Sequence, residues 1–436
     1  MTSKLRVRWG AGFAAVALLT ACSNSASSTT SASSTASASS TAPASSTTPA
    51  SPSASDSGAS SAAASGDPLG TPNKATGTPI TVGLLNLENG PVTFPMVRGG
   101  IEASIAYIND YKGGIGGHPL KLVHCETDSQ PATSQRCANQ ILDQKPTFII
   151  GGADTGASGA YPVWERANLA VVGGISFTPV EQNYKKGFMF GAVSGPDNAA
   201  AIVYASKQGA KSGVSVYTSD SQGTRVGDGV IKFMKNVGMS PVTGVPIPPT
   251  ASDVSAQAAT VVTSNPNILF TTTPVGCASL LKSVNQLGFK GKVFVIDPCT
   301  DPKVIAAAGA GANNITWGSP VDLPNSTPDS KLYMAILAKY SPSTPPISLT
   351  ILGMQGVMNA QTYLSPIADS LTTDSIVAAF TKGTDNPNFA AHPFTCDGKQ
   401  IPGSISVCNG YQRILNYADG KTTAIGDWVD PAPAMG

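Results

Sequence analysis

Ile80-Thr81-Val82-Gly83-Leu84-Leu85 is a short apolar run of residues that favour β-strands, and it decides how the rest of the chain is interpreted. It leads into a turn-like cluster at 86–91. Residues 99–111 then place Ile101, Ile105 and Ile108 at helical spacing, and Gly113-Gly114 ends the pattern. The unit is therefore a strand followed by a helix.

The same unit recurs along the chain. In the first half the pattern predicts strands at 120–124 and 147–150, and helices at 132–142 and 157–168. After Gly195 it predicts strands at 213–218, 268–271 and 292–296, with helices at 199–208, 227–237 and 278–287. Alternation of this kind predicts an α/β fold with two lobes, each a doubly wound parallel sheet. Such lobes bind ligands at the carboxyl ends of their strands.

The N-terminus carries an export signal. Lys4, Arg6 and Arg8 precede an apolar run at 11–21 that is too short to span a bilayer. Leu19-Thr20-Ala21-Cys22 resembles the lipobox of bacterial lipoproteins, which implies removal of residues 1–21 and a lipid on Cys22. The alternative is an ordinary secretory signal with a chance cysteine.

The segment after Cys22 is predicted to be a tether. Residues 23–66 are almost entirely Ser, Ala and Thr with scattered Pro, so they cannot bury a core. We therefore expect residues 22–77 to be a lipidated cysteine and a flexible linker. The chain would be extracytoplasmic and anchored to the cell membrane.

Composition excludes some partners. The formal net charge is +1 and 12% of residues are charged, without a basic cluster, which argues against nucleic acid. No second apolar stretch of membrane-spanning length follows the signal.

Six cysteines remain besides Cys22, and they fall into close pairs. In an exported chain these pairs predict disulfides, namely Cys125 with Cys137, Cys277 with Cys299, and Cys396 with Cys408. Free buried thiols are the alternative. His118, His124 and His392 do not have the spacing of zinc ligands, so we predict neither a metal nor a cofactor.

Several motifs occur in an order that resembles a known family. They are Ile80-Thr81-Val82-Gly83, Asn89-Gly90-Pro91, Ile108-Asn109-Asp110, Gly113-Gly114-Ile115-Gly116-Gly117, Leu120-Lys121-Leu122-Val123, Ile149-Ile150-Gly151 and Thr178-Pro179. Together they resemble type I periplasmic binding proteins of the branched-chain amino acid class, the solute-binding components of ABC importers.

The resemblance implies two lobes joined by three crossovers, near Gly195, Pro320 and Gly403. The first lobe would comprise 78–195 and 321–403, and the second 196–320 and 404–436. It further implies that the lobes close around a small solute, an amino acid or a related polar molecule, and then dock on permease subunits.

In the first lobe, the resemblance places Phe94 at the cleft, although Phe94 could equally belong to the core. Thr155 lies where relatives hold a carboxylate, beside Asp154, which would repel one. Ser176-Phe177 departs from the pattern of relatives, because Phe177 replaces a hydroxyl that donates to a ligand carboxylate.

In the second lobe, the resemblance points to Gln222, Thr273 and Asp297. Asp297 follows a predicted strand where relatives keep a carboxylate for the ammonium group of the ligand. It could instead be a helix cap ahead of Pro302 or a turn residue. Gln222 stands where an aromatic residue is common, which implies a more polar or differently shaped pocket.

The sequence is compatible with two other functions. Catalysis has little support, because the sequence has no Gly-x-Ser-x-Gly elbow and only three histidines. A lipid-anchored sensor that uses the same cleft to signal to a partner protein is the stronger alternative to import.

Overall fold

The structure is a computed structural model, and it describes residues 66–436 except Pro91, Ser194 and 324–326. The predicted signal peptide, the lipid site at Cys22 and most of the predicted tether lie outside the described residues. Among the residues described, no helix combines the length and the apolar character needed to cross a membrane.

The first sheet has five parallel strands in the order β2-β1-β3-β4-β5. The strands are β1 Ile80–Leu87, β2 Leu120–Thr127, β3 Phe148–Ile150, β4 Val171–Val172 and β5 Gly187–Phe188. The helices between them are α1 Pro95–Tyr111, α2 Pro131–Leu142, α3 Tyr161–Arg166 and α4 Pro179–Gln182.

The second sheet has seven strands in the order β12-β11-β10-β9-β8-β6-β7. The strands are β6 Gly213–Thr218, β7 Val242–Ile247, β8 Ile268–Thr271, β9 Lys292–Phe294, β10 Ile315–Ser319, β11 Arg413–Ala418 and β12 Lys421–Ala424. The helices of this part are α5 Pro196–Lys207, α6 Ser221–Asn236, α7 Ser255–Ser264, α8 Cys277–Gln286 and α9 Pro302–Ala308, with the C-terminal α13 Ala432–Met435.

The edge of the second sheet differs from the predicted parallel arrangement. Strand β11 pairs antiparallel with β10, and β12 pairs antiparallel with β11 in a hairpin. Its two loop residues, Asp419 and Gly420, have φ of 51° and 77°. Asp-Gly suits this two-residue turn, in which both residues take positive φ. The α/β fold with two sheets is otherwise as predicted.

Both faces of the first sheet are covered, which explains the continuous apolar run at β1. Leu84 packs with α1 and with α11 Ser348–Leu364, whereas its neighbour Leu85 packs on the other face with α2 and α3. Successive residues of a strand point to opposite faces, so both must be apolar here.

The helices that follow β10 pack in the first lobe. They are α10 Pro328–Tyr340, α11 and α12 Thr373–Thr381. Helix α11 lies close against α1, since a Cβ on Gly100 would come within 2.2 Å of the Thr350 carbonyl oxygen. A Cβ on Gly353 would come within 2.4 Å of the Val97 carbonyl oxygen. Glycine on each helix therefore permits this close packing.

The chain passes between the two sheets three times: after β5, after β10 and before β11. The first and third passages are joined by hydrogen bonds from Met189 N to Ser406 O and from Cys408 N to Met189 O, both 2.8 Å. Gln412 Nε2 also donates to Ala192 O at 2.8 Å. The third passage thus lies a few residues beyond Gly403. The lobe boundaries at 195, 320 and 403 stay a prediction.

Two helices start several residues earlier than periodicity predicts, because proline at the first helical position begins each helix before its apolar spacing does. Helices α1 and α5 begin at Pro95 and Pro196 rather than at 99 and 199. The predicted helix at 157–168 is shorter, Tyr161–Arg166, and it follows a turn that includes Gly159. A Cβ on Gly159 would lie 1.8 Å from the Pro131 carbonyl oxygen.

The structure joins the six cysteines in three local disulfides. Cys125–Cys137 has a Cα–Cα distance of 5.5 Å, Cys277–Cys299 of 6.0 Å, and Cys396–Cys408 of 4.3 Å. The Cys277–Cys299 bridge ties the start of α8 to the 3-10 turn Asp297–Thr300, which carries a predicted site residue.

Candidate functional site

The loops after β1, β3 and β4 lie at the carboxyl end of the first sheet. Buried Asn86, at the end of β1, links two of them. Its Nδ2 donates to Phe94 O at 2.9 Å and its Oδ1 accepts from Ala153 N at 3.1 Å. The sequence prediction missed Asn86, although a lone polar residue inside an apolar strand is a signal for such a role.

The structure brings two of the predicted residues together. The rings of Phe94 and Phe177 stack, with centroids 5.3 Å apart and planes 21° apart. Both side chains are half-buried and also touch the first-lobe core. The pair places an apolar surface at the carboxyl end of the first sheet.

The donors beside Phe177 are already engaged by Glu181. Its Oε2 accepts from Phe177 N at 2.9 Å, from Thr178 N at 2.7 Å and from Thr178 Oγ1 at 2.8 Å. This is a capping box for α4. The neighbouring Ser176 is buried. A ligand carboxylate could therefore not use these three donors without displacing Glu181.

Asp154 is buried, with 5% of its surface exposed, and Thr155 beside it is exposed. Asp154 Oδ1 accepts from Thr127 Oγ1 at 2.9 Å and from Gly156 N at 3.0 Å. Asp154 Oδ2 has no partner among the described residues. The Asp154 side chain thus holds its own loop, whereas the Thr155 side chain is exposed.

In the second lobe, two predicted residues are engaged locally. Gln222 is exposed and its Oε1 accepts from Arg225 Nη2 at 2.7 Å, so a cation accompanies it. Thr273 is buried and its Oγ1 accepts from Val275 N at 3.0 Å in a turn. The Thr273 hydroxyl therefore stabilises the turn after β8 by accepting a backbone hydrogen bond.

Asp297 lies between the lobes, with 8% of its surface exposed. The Ser348 hydroxyl and the N–H groups of Ser348 and Leu349, in the first turn of α11, face its carboxylate. Neither carboxylate oxygen makes a hydrogen bond of normal geometry with a described residue. Burial raises the pKa of Asp297 to about 6, although the α11 donors act in the opposite direction.

One group of side chains has the composition of a metal site. Ligand atoms of Glu88, His124 and Glu126 lie within 4.8 Å of one another. However, Glu88 Oε1 accepts from Arg98 Nε and Glu88 Oε2 from Arg98 Nη2, both at 2.7 Å. Burial raises the pKa of Glu88, but hydrogen bonds with Arg98 and Asn86 outweigh it and lower the pKa overall. A metal ion would have to displace Arg98, so this group is better explained as an ion-pair network.

Residues 79–405 match a protein family described as periplasmic binding protein. A comparison with curated proteins gives no match. Among solved structures, a leucine binding protein from Thermotoga maritima is 18% identical with a TM-score of 0.64, covering 81% of this chain and 99% of that one. A solute binding protein of an ABC transporter from R. palustris, in complex with 4-hydroxybenzoate, is 16% identical with a TM-score of 0.65, covering 81% and 98%. An ABC transporter substrate-binding protein from Sphaerobacter thermophilus is 15% identical with a TM-score of 0.67, covering 81% and 98%.

Two parallel-dominated sheets joined by three chain passages define the type I fold of solute-binding proteins. The chain belongs to the periplasmic binding protein family. It is therefore an extracytoplasmic binding protein rather than an enzyme.

Proposed function

We propose that this chain is the lipid-anchored solute-binding component of an ABC importer. It captures a small solute between its lobes by hinge closure and delivers it to permease subunits. The family match and the ABC transporter relatives support the solute-binding role. The lipobox-like Leu19-Thr20-Ala21-Cys22 supports the anchor.

The observation that carries the choice of solute is the stacked pair Phe94 and Phe177. A half-buried aromatic surface at the carboxyl end of a parallel sheet favours a solute with an aromatic or branched apolar group. Because Glu181 engages the donors of Phe177 and Thr178, the solute carboxylate would turn to Thr155 instead. Relatives described as binding leucine and 4-hydroxybenzoate are consistent with this class.

In the second lobe we propose that Gln222, Thr273 and Asp297 complete the site. Asp297 would contact a cationic group of the solute, and the absence of any hydrogen bond of normal geometry to its carboxylate from a described residue supports that role. Arg225, paired with Gln222 at the start of α6, adds a positive charge there.

The test is thermal unfolding of the chain from Asp67 onward, measured against branched-chain and aromatic amino acids, aromatic acids and amides. A solute at about one hundred times its dissociation constant adds about 2.7 kcal/mol to the free energy of unfolding, which shifts the midpoint by a few degrees. A response to the apolar or aromatic members supports the proposal. A response confined to small polar amides would contradict the assigned solute class.

Import is tested separately from binding. Cells that lack this chain should lose uptake of the labelled solute and regain it with the wild-type gene. Unchanged uptake, together with loss of a cellular response to the solute, would contradict import and support the sensor instead.

A further inference from the structure

A small cavity lies inside the first lobe, beneath the loops that follow β3 and β4. Its volume is about 20 Å³, enough for one water molecule. Most of its lining is apolar side chains and glycine backbone, including Leu85, Ile150 and Trp164. Three titratable side chains also line it: Asp154, Tyr161 and Glu181.

Each carboxyl group at this cavity holds one of the two loops. Asp154 follows β3, and its Oδ1 accepts from Gly156 N. Glu181 follows β4, and its Oε2 accepts from the N–H groups of Phe177 and Thr178. The two loops that carry Thr155 and Phe177 are therefore fixed by two acids that face a common cavity.

The charge at this cavity is not balanced by a described basic residue. Asp154 and Glu181 are 5% and 3% exposed, and Asp154 Oδ2 has no partner. Tyr161 of α3 interacts electrostatically with both acids. Its ring packs edge-on against that of Tyr184 after α4, with centroids 5.1 Å apart. Neither is cationic. Two carboxyl groups that line one buried cavity without a basic partner cannot both stay charged at low cost.

We propose that Asp154 and Glu181 share one proton across this cavity, and that the shared proton holds the loops after β3 and β4 in the arrangement that receives the solute. Glu181 Oε2 accepts three hydrogen bonds, so the proton resides on Oε1, and Asp154 Oδ2 is the unpartnered carboxylate oxygen at the same cavity. Both acids are positioning residues, since they act through Gly156, Phe177 and Thr178. The shared proton does not depend on the proposed function, and only its effect on solute affinity does.

The pH dependence follows from burial, which raises the pKa of Glu181 from 4.5 to about 8, with Asp154 adding to the rise. Between pH 4.5 and about 8, the folded chain therefore holds one more proton than the unfolded chain. The contribution of Glu181 to the free energy of unfolding is fully present below pH 4.5 and is lost as the pH rises to about 8. If the proton is required for binding, solute affinity declines by about tenfold for each pH unit above about 8.

The experiment measures thermal unfolding of the full-length chain, purified after export, between pH 4 and 9.5, without solute. In Glu181→Gln, the amide oxygen accepts the same three hydrogen bonds, so we expect the decline between pH 4.5 and 8 to become shallower than in the wild type. In Asp154→Asn, we expect the midpoint of that decline to move by about one pH unit to lower pH, because the neighbouring charge is gone. The matched control Glu165→Gln, an exposed acid on α3, should follow the wild type.

A second measurement uses only the wild-type protein. Infrared spectra should show a protonated carboxyl band at pH 7 that disappears above pH 8. An unchanged decline in Glu181→Gln, an unmoved midpoint in Asp154→Asn or the absence of this band would each overturn the shared proton. These measurements are made without solute, so a negative result would not bear on the proposed function, which the solute screen tests.

Discussion

Phe94 and Phe177 stack at a centroid distance of 5.3 Å, and so join the loop after β1 to the loop after β4. The contact connects two segments that the sheet order places on different strands. It also occupies the position at which the sequence departs from the family pattern. The resemblance implies a hydroxyl donor to a ligand carboxylate where Phe177 stands, and we propose that the aromatic pair takes its place.

Replacing Phe177 with alanine should weaken solute binding by about twofold to tenfold. An aromatic pair contributes about 0.5–1.5 kcal/mol beyond its buried area, and 1.4 kcal/mol corresponds to tenfold in affinity. Calorimetric titration with the solute found in the screen gives the measurement. Phe233→Ala, a half-buried phenylalanine on α6, is the control and should leave affinity intact. Equal affinities for wild type and Phe177→Ala would remove the aromatic pair from the site.

Asp297→Asn should stabilise the solute-free protein at pH 7. The pKa of Asp297 rises from 3.8 to about 6 through burial, so its contribution to stability is present below pH 3.8 and is lost as the pH rises through 6. The uncharged amide should raise the free energy of unfolding by at most about 3 kcal/mol at pH 7. Urea unfolding at pH 7 measures this difference.

Asp301→Asn is the matched control, because Asp301 is a nearby aspartate that caps α9 through Lys303 N at 2.8 Å. Asparagine caps almost equally well, so stability should hardly change. The same Asp297→Asn protein tests the ligand role. Unaltered affinity for a cationic solute would show that Asp297 does not contact its charge.

Removing the Cys277–Cys299 bridge by a double change to serine should lower the free energy of unfolding by about 3 kcal/mol. The bridge closes a segment with a sequence separation of 22, and cross-links of this size restrict the unfolded chain. Urea unfolding is again the measurement. Non-reduced peptide mapping of the wild type is the control, and free thiols or crossed pairs there would reject the assignment of all three bridges.

Cys22→Ser should release the chain from the membrane fraction, because the predicted lipid attaches to that sulfur. Cell fractionation and mass spectrometry of the N-terminal peptide measure the change. Ser23→Ala, the adjacent position, should remain in the membrane fraction. If Cys22→Ser stays with the membrane, or the wild-type peptide carries no lipid, the anchor is wrong and an ordinary secretory signal fits better.

Part of this architecture could be predicted because it depends on neighbouring residues. The apolar run at β1 and the isoleucine spacing of α1 indicate an α/β fold, and the close cysteine pairs indicate local disulfides. Helix starts were less accurate, since proline at the first helical position sets them. The hairpin β11–β12 was missed, although its Asp419-Gly420 turn is a local signal.

The sequence by itself determined the alternation of strands and helices and the ordered motifs of the family, since both are properties of short stretches. Only the tertiary structure decided that Phe94 meets Phe177, that Asp154 and Glu181 face one cavity, and that Asp297 faces α11. These relationships depend on strand order and on how the lobes pack, so no local pattern encodes them. The charge state of a buried acid follows from its surroundings, which exist only after the chain has folded.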